Sequence, residues 1–360
     1  MYPFVYQPLS QRVVFGSGTI GQVGDELSRM NLGRALVLTT AQQEQSGREL
    51  VEALGARAVG LFAGAVMHTP VDVTEAALHQ VEALGADCVV SLGGGSTVGL
   101  GKAIALRTDL PQIVIPTSYA GSEATPILGQ TENGIKTTQR SLKVLPEVII
   151  YDVDLTVSLP PKMTVTSGLN AIAHAVEGLY TQDRNPIISI IAREGIAALA
   201  RALPAIIKRE DDLEARADAL YGAWACGTVL GAVGMALHHK VCHVLGGSFD
   251  LPHAETHAVI LPHAVAYNER AVAEELAPVA DIFASPTAAA GLWEFSKTTG
   301  APLTLAELGM AEADLDRAVE IMLANPYWNP QPLVGEQLRG MLDDAFFGRA
   351  PGTSLQGQPS

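Results

Sequence analysis

Short apolar runs alternate with amphipathic stretches through the first half of the chain. The apolar runs are rich in β-branched residues, and they predict buried strands over residues 35–39, 88–92, 112–116 and 148–151. In the segments between them, apolar residues recur at helical spacing, which predicts helices over 44–54, 73–84 and 98–107. Strands and helices that alternate in this way form a parallel sheet with right-handed crossover connections.

The second half of the chain has a different pattern after Pro160 and Pro161. Long stretches rich in Ala and Leu, with few β-branched clusters, predict a helical region from residue 162 to about residue 347. The last residues are rich in Gly, Pro and Ser, which favours a loose tail. We therefore predict an α/β domain over 1–158, an all-α domain over 159–350 and a flexible tail over 351–360.

Three glycines follow the strand predicted at 88–92. Gly93, Gly94 and Gly95, with Ser96 after them, lie where this strand turns into a helix, so the backbone there can approach a phosphate. The run matches neither the GxGxxG fingerprint nor a P-loop, and alone it is equally typical of a tight turn. Its place after a buried strand favours phosphate binding.

A polar loop follows the next predicted strand, at 112–116. Thr117, Ser118 and Ser122 can donate hydrogen bonds to a nicotinamide or a phosphate, and helix capping by Thr117 or Ser122 is the alternative. Tyr119 in the same loop is a candidate for substrate binding. Farther along the chain, Lys136 lies in a small basic patch, which is either solvated surface or a site for carboxylates.

Six of the nine histidines lie between residues 234 and 263. His239 and His243 are four residues apart, as are His253 and His257, so each pair lies on one face of a helix. Gly246 and Gly247 predict a helix end between the two pairs, and Pro252 predicts a helix start. Two such helices aim several imidazoles at one point, as in a metal site or a polar reaction cleft. His238 and His263 need not belong to this group.

A second helix, predicted over 167–180, supplies further polar groups. Asn170, His174 and Glu177 follow at spacings of four and three residues, so they share one helix face. With aspartate at position 170 the pattern would be typical of a metal-binding helix. Asparagine is a neutral and weaker ligand, so the expected site lacks its anionic group.

Composition excludes several classes of function. The formal charge of −15 argues against nucleic acid and against anionic membranes as partners. There is no apolar run of about 18 residues and no secretory signal pattern, so we expect neither a membrane span nor export. The three cysteines, Cys88, Cys226 and Cys242, are unclustered and are expected to be reduced thiols of a cytoplasmic protein.

These motifs resemble the iron-containing alcohol dehydrogenase superfamily, which shares its fold with dehydroquinate synthase. The resemblance runs from residue 15 to about residue 350, and its landmarks are GGGS at 93–96, Lys102, AGSE at 120–123, LP at 145–146 and YDVDLTVSLPP at 151–161. It implies an α/β dinucleotide-binding domain followed by an all-α domain. It also places His174, His239 and His253 on three metal-ligand positions of the family, with Asn170 on the fourth, where aspartate is usual.

Departures from the family pattern resemble the maleylacetate reductases within this superfamily. Asn170, and Gly99 where aspartate is usual, are two of them. This resemblance implies reduction of a C=C bond of maleylacetate, a small dianion that in some cases is chlorinated, to 3-oxoadipate during the degradation of aromatic compounds. It implies NADH or NADPH as cofactor, no metal and a homodimer. Thr40 lies where NAD-selective relatives carry aspartate, so use of both nucleotides is expected.

The roles expected from this reading divide into three groups. His239, His243 and His253 form the polar floor of the site, and His243 or His253 donates the proton. Asn170, His174, Tyr119 and Lys136 bind the substrate. The residues expected to bind the nucleotide are Thr40, Gly93, Gly94, Gly95, Ser96, Thr117, Ser118 and Ser122. The alternatives are a metal-dependent alcohol or hydroxy-acid dehydrogenase, a lyase similar to dehydroquinate synthase and a non-catalytic binding protein.

Overall fold

The computed structural model describes residues 3–132, 135–325 and 327–355. The chain divides into two compact units, one formed by Pro8–Leu159 and the other by the residues up to Gln7 together with those from Pro160 onward. The predicted boundary at 158/159 is one residue from this division.

The described residues of the first unit form eight strands. They are β1 (Arg12–Gly16), β2 (Ala35–Leu38), β3 (Ala58–Phe62), β4 (Cys88–Gly93), β5 (Gln112–Pro116), β6 (Ile127–Glu132), β7 (Ile135–Arg140) and β8 (Val148–Asp152). Six of them form a parallel sheet in the order β1-β8-β5-β4-β2-β3, and β6 and β7 form an antiparallel hairpin. The α/β prediction is confirmed, and all four predicted strands are present.

Four α-helices connect these strands. They are α1 (Val23–Arg29), α2 (Glu44–Leu54), α3 (Val71–Leu84) and α4 (Gly95–Thr108). The sheet is buried on both faces: Val37 and Val90 pack into one core cluster, while Leu36 and Val89 pack into the other. Side chains on both faces of these strands are therefore apolar, which explains why the strands could be recognised as continuous apolar runs.

The second unit is helical. Its helices are α5 (Pro161–Tyr180), α6 (Pro186–Lys208), α7 (Leu213–Ala232), α8 (Leu237–Ser248), α9 (His253–Asn268), α10 (Ala273–Ile282), α11 (Ala288–Thr298), α12 (Leu315–Ala324) and α13 (Gly335–Phe347). This confirms the helical prediction. In the part of the chain that the structure describes, no single helix is long and apolar enough to cross a membrane, although α7 and α8, bent by 95°, meet those limits as a pair.

One predicted helix end is wrong. Gly246 and Gly247 lie inside α8, which continues to Ser248. Two glycines weaken a helix by about 2 kcal/mol in total, but this segment is held by packing, because Leu245 and Gly246 are fully buried or nearly so. The helix closes only where the N–H groups of Phe249 and Leu251 both reach the Leu245 carbonyl. The predicted start after Pro252 is confirmed, since α9 begins at His253.

The predicted tail is described only in part. Residues 353–355 form a short 3-10 turn, in which Ser354 donates to the buried Asp344 carboxylate through its hydroxyl and its N–H. Residues 356–360 lie outside the described part. The predicted domain limits therefore stay a prediction at this end of the chain.

Candidate active site

The residues expected to bind a nucleotide lie at one edge of the parallel sheet. Gly93 at the end of β4 is in register with Pro116 at the end of β5, and β2 ends two residues before Thr40. Thr117 accepts a hydrogen bond of 2.9 Å from the side chain of Gln43, just beyond β2. The carboxyl ends of three neighbouring strands therefore bring these groups together, where open α/β sheets bind ligands.

The glycine run is closely packed at its first two positions and open at its third. Gly93 has φ +154°, and a Cβ there would lie 2.4 Å from the Thr97 hydroxyl oxygen. A Cβ on Gly94 would lie 3.0 Å from the Ser118 hydroxyl, whereas one on Gly95 would meet nothing within 4 Å. Because Gly94 precedes α4 and no side chain caps that helix, its first N–H groups suit an anion.

The alternative role of the loop after β5 was to cap a helix with the side chain of Thr117 or Ser122, and the structure does not show such a cap. The 3-10 turn of this loop begins after Gly121, and no side chain caps it. The Ser122 hydroxyl is buried without a hydrogen-bond partner among the described residues. Tyr119 is fully buried, and its contact with substrate stays a prediction.

Lys102 holds the loop after β5 in place through hydrogen bonds. Its Nζ donates to the carbonyls of Ser122, Thr125 and Ile127 and to the Thr125 hydroxyl, at 2.6 to 2.9 Å. Burial lowers the pKa of Lys102 to about 7, while the nearby Glu123 carboxylate raises it. Because all four neighbours of Nζ are oxygen acceptors, the protonated amine, with three donors, satisfies more of them than the neutral amine would. Lys102 therefore has a structural role beneath the predicted nucleotide edge.

In the helical unit, α5, α8 and α9 bring five histidines together. His174 Nδ1 lies 2.8 Å from His239 Nε2, and the His239 ring centre lies 6.3 Å from that of His243 and 5.2 Å from that of His257. The His253 and His257 ring centres are 4.4 Å apart. The structure therefore groups His174, His239, His243, His253 and His257, as the spacing predicted, with His257 near the centre of the group.

His238 also belongs to this group, contrary to the expectation from its helical angle. Its Nε2 lies 2.9 Å from His257 Nδ1, and both rings are fully buried. Burial lowers the pKa of His238 to about 3 and that of His257 well below its ordinary value, and neighbouring histidines lower both further. These two rings are therefore neutral at neutral pH and act through hydrogen bonds.

Glu177 is the acceptor that organises the start of α8. Its buried carboxylate accepts from the N–H groups of Ala236 at 3.0 Å and His238 at 2.8 Å, and it lies 2.6 Å from His239 Nδ1. Burial alone would raise its pKa, but the hydrogen bond from His239 and that from the N–H group of Ala236 lower it to about 2. Glu177 is therefore ionised, and it fixes both the helix start and the His239 ring.

The ionised Glu177 also determines the His239 tautomer. An ionised carboxylate only accepts, so His239 donates from Nδ1 and carries its lone pair on Nε2. His174 Nδ1, which lies opposite that lone pair, is then the donor. A carboxylate behind a histidine is the usual arrangement of a metal-binding imidazole. The buried Asn170 Oδ1 on α5 has no hydrogen-bond partner among the described residues, so it too is available as a ligand.

A second set of donors lies beside the first. One ligand atom from each of His238, Cys242 and His257 lies within 4.8 Å of the other two, and all three residues are buried. This set and the one formed by Asn170, His174, His239 and His253 contain imidazole nitrogen, amide oxygen and sulfur. Imidazole suits iron and zinc, so the chemistry of the donors fits a divalent transition-metal ion.

His263 lies apart from the cluster. It is fully buried, neither ring nitrogen has a hydrogen-bond partner among the described residues, and its ring centre is 5.4 Å from that of Trp293. Burial lowers its pKa from 6.5 to about 3. The unfolded chain therefore binds a proton below pH 6.5 that the folded chain refuses, so His263 costs stability as the pH falls from 6.5 towards 3.

Replacing His263 by phenylalanine should reduce acid sensitivity while keeping the ring contact with Trp293. At pH 5 the protonation of one such histidine in the unfolded state costs about 2 kcal/mol. We expect the loss of thermal stability between pH 7.5 and pH 5, followed by tryptophan fluorescence, to be smaller in His263→Phe than in the parent. The exposed His79, changed to phenylalanine, is the control. An equal loss in all three proteins would contradict this account.

Some of the expected roles remain without a test. Lys136 lies in β7, opposite Thr131, but its side chain is outside the described part of the structure. Glu177 was placed on the correct helix face by its spacing from His174, but its partners on α8 come from a long-range contact that spacing does not reveal. The expected roles of Asn170 and the histidines stay predictions.

Two family models match the chain. The model for iron-containing alcohol dehydrogenase matches residues 10–153, and the model for the C-terminal part of the Fe-containing alcohol dehydrogenase family matches residues 164–346. The chain belongs to the iron-containing alcohol dehydrogenase family. Both units are therefore those of this family, which agrees with the resemblance found in the sequence motifs.

Individual relatives are similar over almost the whole chain. Maleylacetate reductase of Rhizobium sp. (strain MTP-10005) is 57% identical over 351 residues, covering 98% of this chain and 100% of the relative. Maleylacetate reductase of Sphingobium indicum is 53% identical, with 98% and 99% covered. The solved structure of maleylacetate reductase from Agrobacterium tumefaciens has a TM-score of 0.95 at 57% identity, covering 98% of this chain and 100% of that one.

Membership in an iron-containing family overturns one prediction from the sequence. The resemblance to maleylacetate reductases, with Asn170 in place of an anionic ligand, implied a site without a metal, and that expectation is wrong, since the family implies an iron cofactor. The physical reason lies in the donors. The amide oxygen of Asn170 can still bind a metal ion. The negative charge that aspartate would supply comes instead from the Glu177 carboxylate, which is hydrogen-bonded to the ligand His239 rather than to the metal.

Proposed function

We propose that this chain reduces the C=C bond of 2-maleylacetate to give 3-oxoadipate, with NADH or NADPH as the hydride donor. The observation that carries the proposal is the buried histidine cluster beside Asn170, in a chain 57% identical to a maleylacetate reductase over 98% of its length. The neutral Asn170 supports a substrate with two carboxylates, because an aspartate there would repel it.

The substrate determines what the residues must do. In maleylacetate a ketone is conjugated to the C=C bond, so hydride from the nicotinamide adds at the carbon β to the ketone and leaves an enolate. A proton then adds at the carbon next to the ketone. The protein must hold a dianion, stabilise the developing oxyanion and supply that proton.

The proton is proposed to come from His243 or His253. His243 is exposed and lies one turn beyond His239 on α8, and His253 is half-buried at the first position of α9. Both therefore have access to solvent protons, unlike the fully buried His238 and His257.

The metal ion of the family would be held by Asn170, His174, His239 and His253, and a metal-bound His253 would leave His243 as the proton donor. The unpartnered Asn170 Oδ1 and the Nε2 lone pair of His239 support this set. When bound, a divalent metal ion acts as a Lewis acid that polarises a carbonyl oxygen. The chain itself orients these imidazoles through the Glu177 carboxylate.

The nucleotide is proposed to bind at the carboxyl edge of β2, β4 and β5. The uncapped first turn of α4 suits the pyrophosphate, and Thr117, Ser118 and Ser122 suit the remainder of the nucleotide. Thr40 has no charge, so it does not repel a 2′-phosphate, which supports the use of both NADH and NADPH. We also propose a homodimer in the cytoplasm, where the three buried free thiols would stay reduced.

Oxidation of NADH by freshly prepared maleylacetate tests the proposal. We expect a loss of NADH absorbance with maleylacetate, and much slower NAD⁺ reduction with primary alcohols or 2-hydroxy acids. The reverse preference would overturn the proposal in favour of an alcohol or hydroxy-acid dehydrogenase of the same family. Running each assay with NADPH as well compares the two nucleotides.

Changing Asn170 to aspartate should strengthen metal binding and weaken substrate binding. One added anionic charge at contact distance is worth at least about 1.4 kcal/mol, or tenfold in affinity. We expect tighter Zn²⁺ or Fe²⁺ binding, measured by competition with a coloured chelator, and a lower kcat/KM for maleylacetate. Asn31→Asp makes the same change of charge at an exposed turn in the other unit and should alter neither. Unchanged metal affinity in Asn170→Asp would contradict the proposed ligand set.

A further inference from the structure

A dianionic substrate needs a cationic partner, and the helices around the histidine cluster contain few. In α5, α8 and α9 together, the only Lys or Arg residues are Lys162 and Lys240. Lys162 lies 12 residues before His174 on α5, about 18 Å along the helix. Lys240 directly follows His239 and is three residues before His243, on a neighbouring helix face.

Lys240 is half-buried and has no acidic partner. Among the ion pairs of the described residues, none includes Lys240. Its Nζ instead lies over the Tyr327 ring, 5.4 Å from the ring centre. A lysine with this burial and no carboxylate has lost part of its hydration without a counterion, which is unusual in a chain of net charge −15.

Tyr327 offers a second group at the same place. Its hydroxyl is buried and has no hydrogen-bond partner among the described residues. Burial raises the pKa of Tyr327, and the nearby Glu177 carboxylate raises it further, so the hydroxyl keeps its proton and remains a donor. Buried tyrosine hydroxyls ordinarily find a partner.

The position of Tyr327 is fixed relative to α8. The side chain of Asn329 accepts a hydrogen bond of 3.3 Å from the N–H of Leu237, the first residue of α8. Asn329 is also joined to Asn268 of α9 by two amide hydrogen bonds, of 3.0 and 2.7 Å. The segment that carries Tyr327 is therefore attached to both helices that carry the histidines, and Lys240 and Tyr327 form a prearranged pair of donors.

We propose that Lys240 and Tyr327 bind one carboxylate of the dianionic substrate, the ammonium group supplying the charge and the phenol a hydrogen bond. This inference rests on the proposed function for the identity of the substrate. A monocarboxylate can occupy only one of the two carboxylate positions of the site, so this pair adds affinity for a dicarboxylate whose other carboxylate is held elsewhere in the site. It also explains how the site binds a dianion close to the ionised Glu177, because the charge of Lys240 opposes that of the buried carboxylate.

Binding of two inert acids tests this proposal without relying on turnover. Adipate and hexanoate both have six carbons but differ in the second carboxylate, and their dissociation constants can be measured by calorimetry on the NADH-loaded protein. We expect adipate to bind better than hexanoate by about tenfold to a hundredfold, the worth of a charged hydrogen bond. In Lys240→Met the two acids should bind almost equally.

Further variants separate recognition from folding. Lys240→Arg should retain most of the preference for adipate, and Tyr327→Phe, which keeps the ring under Lys240, should lose about threefold to tenfold of it. Lys297→Met, at an exposed lysine paired with Glu294, should match the parent in every measurement. All variants should unfold at the temperature of the parent.

Two results would overturn the inference: a parent protein that does not prefer adipate, or a Lys240→Met variant that keeps the full preference. Failure of the proposed function gives a different result. In that case maleylacetate is not reduced by the parent, while the preference for adipate still depends on Lys240.

Discussion

Alanine at the proton donor should lower kcat for maleylacetate by about a hundredfold to ten-thousandfold, the usual contribution of a general acid. The candidates are His243 and His253, which we expect to differ: the true donor loses kcat to this extent, and the other mainly raises KM. The loss follows because the enolate is then protonated only by water. Steady-state kinetics with each single variant measures the loss of kcat. The binding of NADH should be unchanged in both variants.

The exposed His79 on α3 provides the matched control, since His79→Ala removes an imidazole from the other unit and should leave kcat unaltered. A parent-like kcat in both His243→Ala and His253→Ala would contradict the assignment of the proton donor to this pair. Loss of nicotinamide binding in either variant would show that the substitution acts on folding or on the cofactor rather than on protonation.

Removal of the Glu177 carboxylate should be the most damaging single change to the helical unit. In Glu177→Ala the N–H groups of Ala236 and His238 and the Nδ1 of His239 all lose their acceptor. Each buried donor that is left without an acceptor costs about 1 to 3 kcal/mol. We expect a clearly lower thermal unfolding temperature by circular dichroism, together with an almost inactive enzyme.

Glu177→Gln separates the two roles of this residue. It keeps a side-chain oxygen for one backbone donor, so it should unfold at a higher temperature than Glu177→Ala. It lacks the charge that holds His239, so kcat should still fall by about tenfold to a hundredfold, as when the partner of an aligned imidazole is lost. The exposed Glu294, changed to glutamine, is the control. Full activity in Glu177→Gln would contradict the orienting role.

The pH dependence of stability gives an independent check on Glu177. Its pKa is lowered from 4.5 to about 2 in the folded chain, so its stabilisation is complete above pH 4.5 and is lost as the pH falls from 4.5 towards 2. Glu177→Gln cannot lose this contribution. The difference in unfolding temperature between the parent and the variant should therefore shrink over that range.

Local pattern was enough to predict the strands with two apolar faces and the helices. The strands β4, β5 and β8 are buried along their whole length, so each is a continuous apolar run. In contrast, β3 is an edge strand that is only half-buried, and the β6–β7 hairpin lies outside the main sheet. The hairpin strands are mostly polar. β3 is apolar but has a glycine, Gly60, at its centre. Neither these three strands nor the edge strand β1 was predicted.

Spacing predicted which side chains share a helix face, but not which faces meet. The i, i+4 pairs on α8 and α9 and the Asn170–His174–Glu177 face of α5 were read from the sequence. Contacts between those helices decide the rest: His238 enters the cluster only because His257 on α9 lies opposite it. The contact between Lys240 and Tyr327 joins positions 87 residues apart, which no local pattern reveals.

Hydride transfer from deuterated NADH to maleylacetate tests the central claim most directly. Maleylacetate is reduced with NADH that carries deuterium in place of the transferred hydride, and the product is identified by NMR. The account predicts 3-oxoadipate with an intact ketone and one deuterium at the carbon β to it, where the C=C bond had been. Deuterium on a carbinol carbon, with the C=C bond retained, would mean that the enzyme reduces the ketone and would contradict the account.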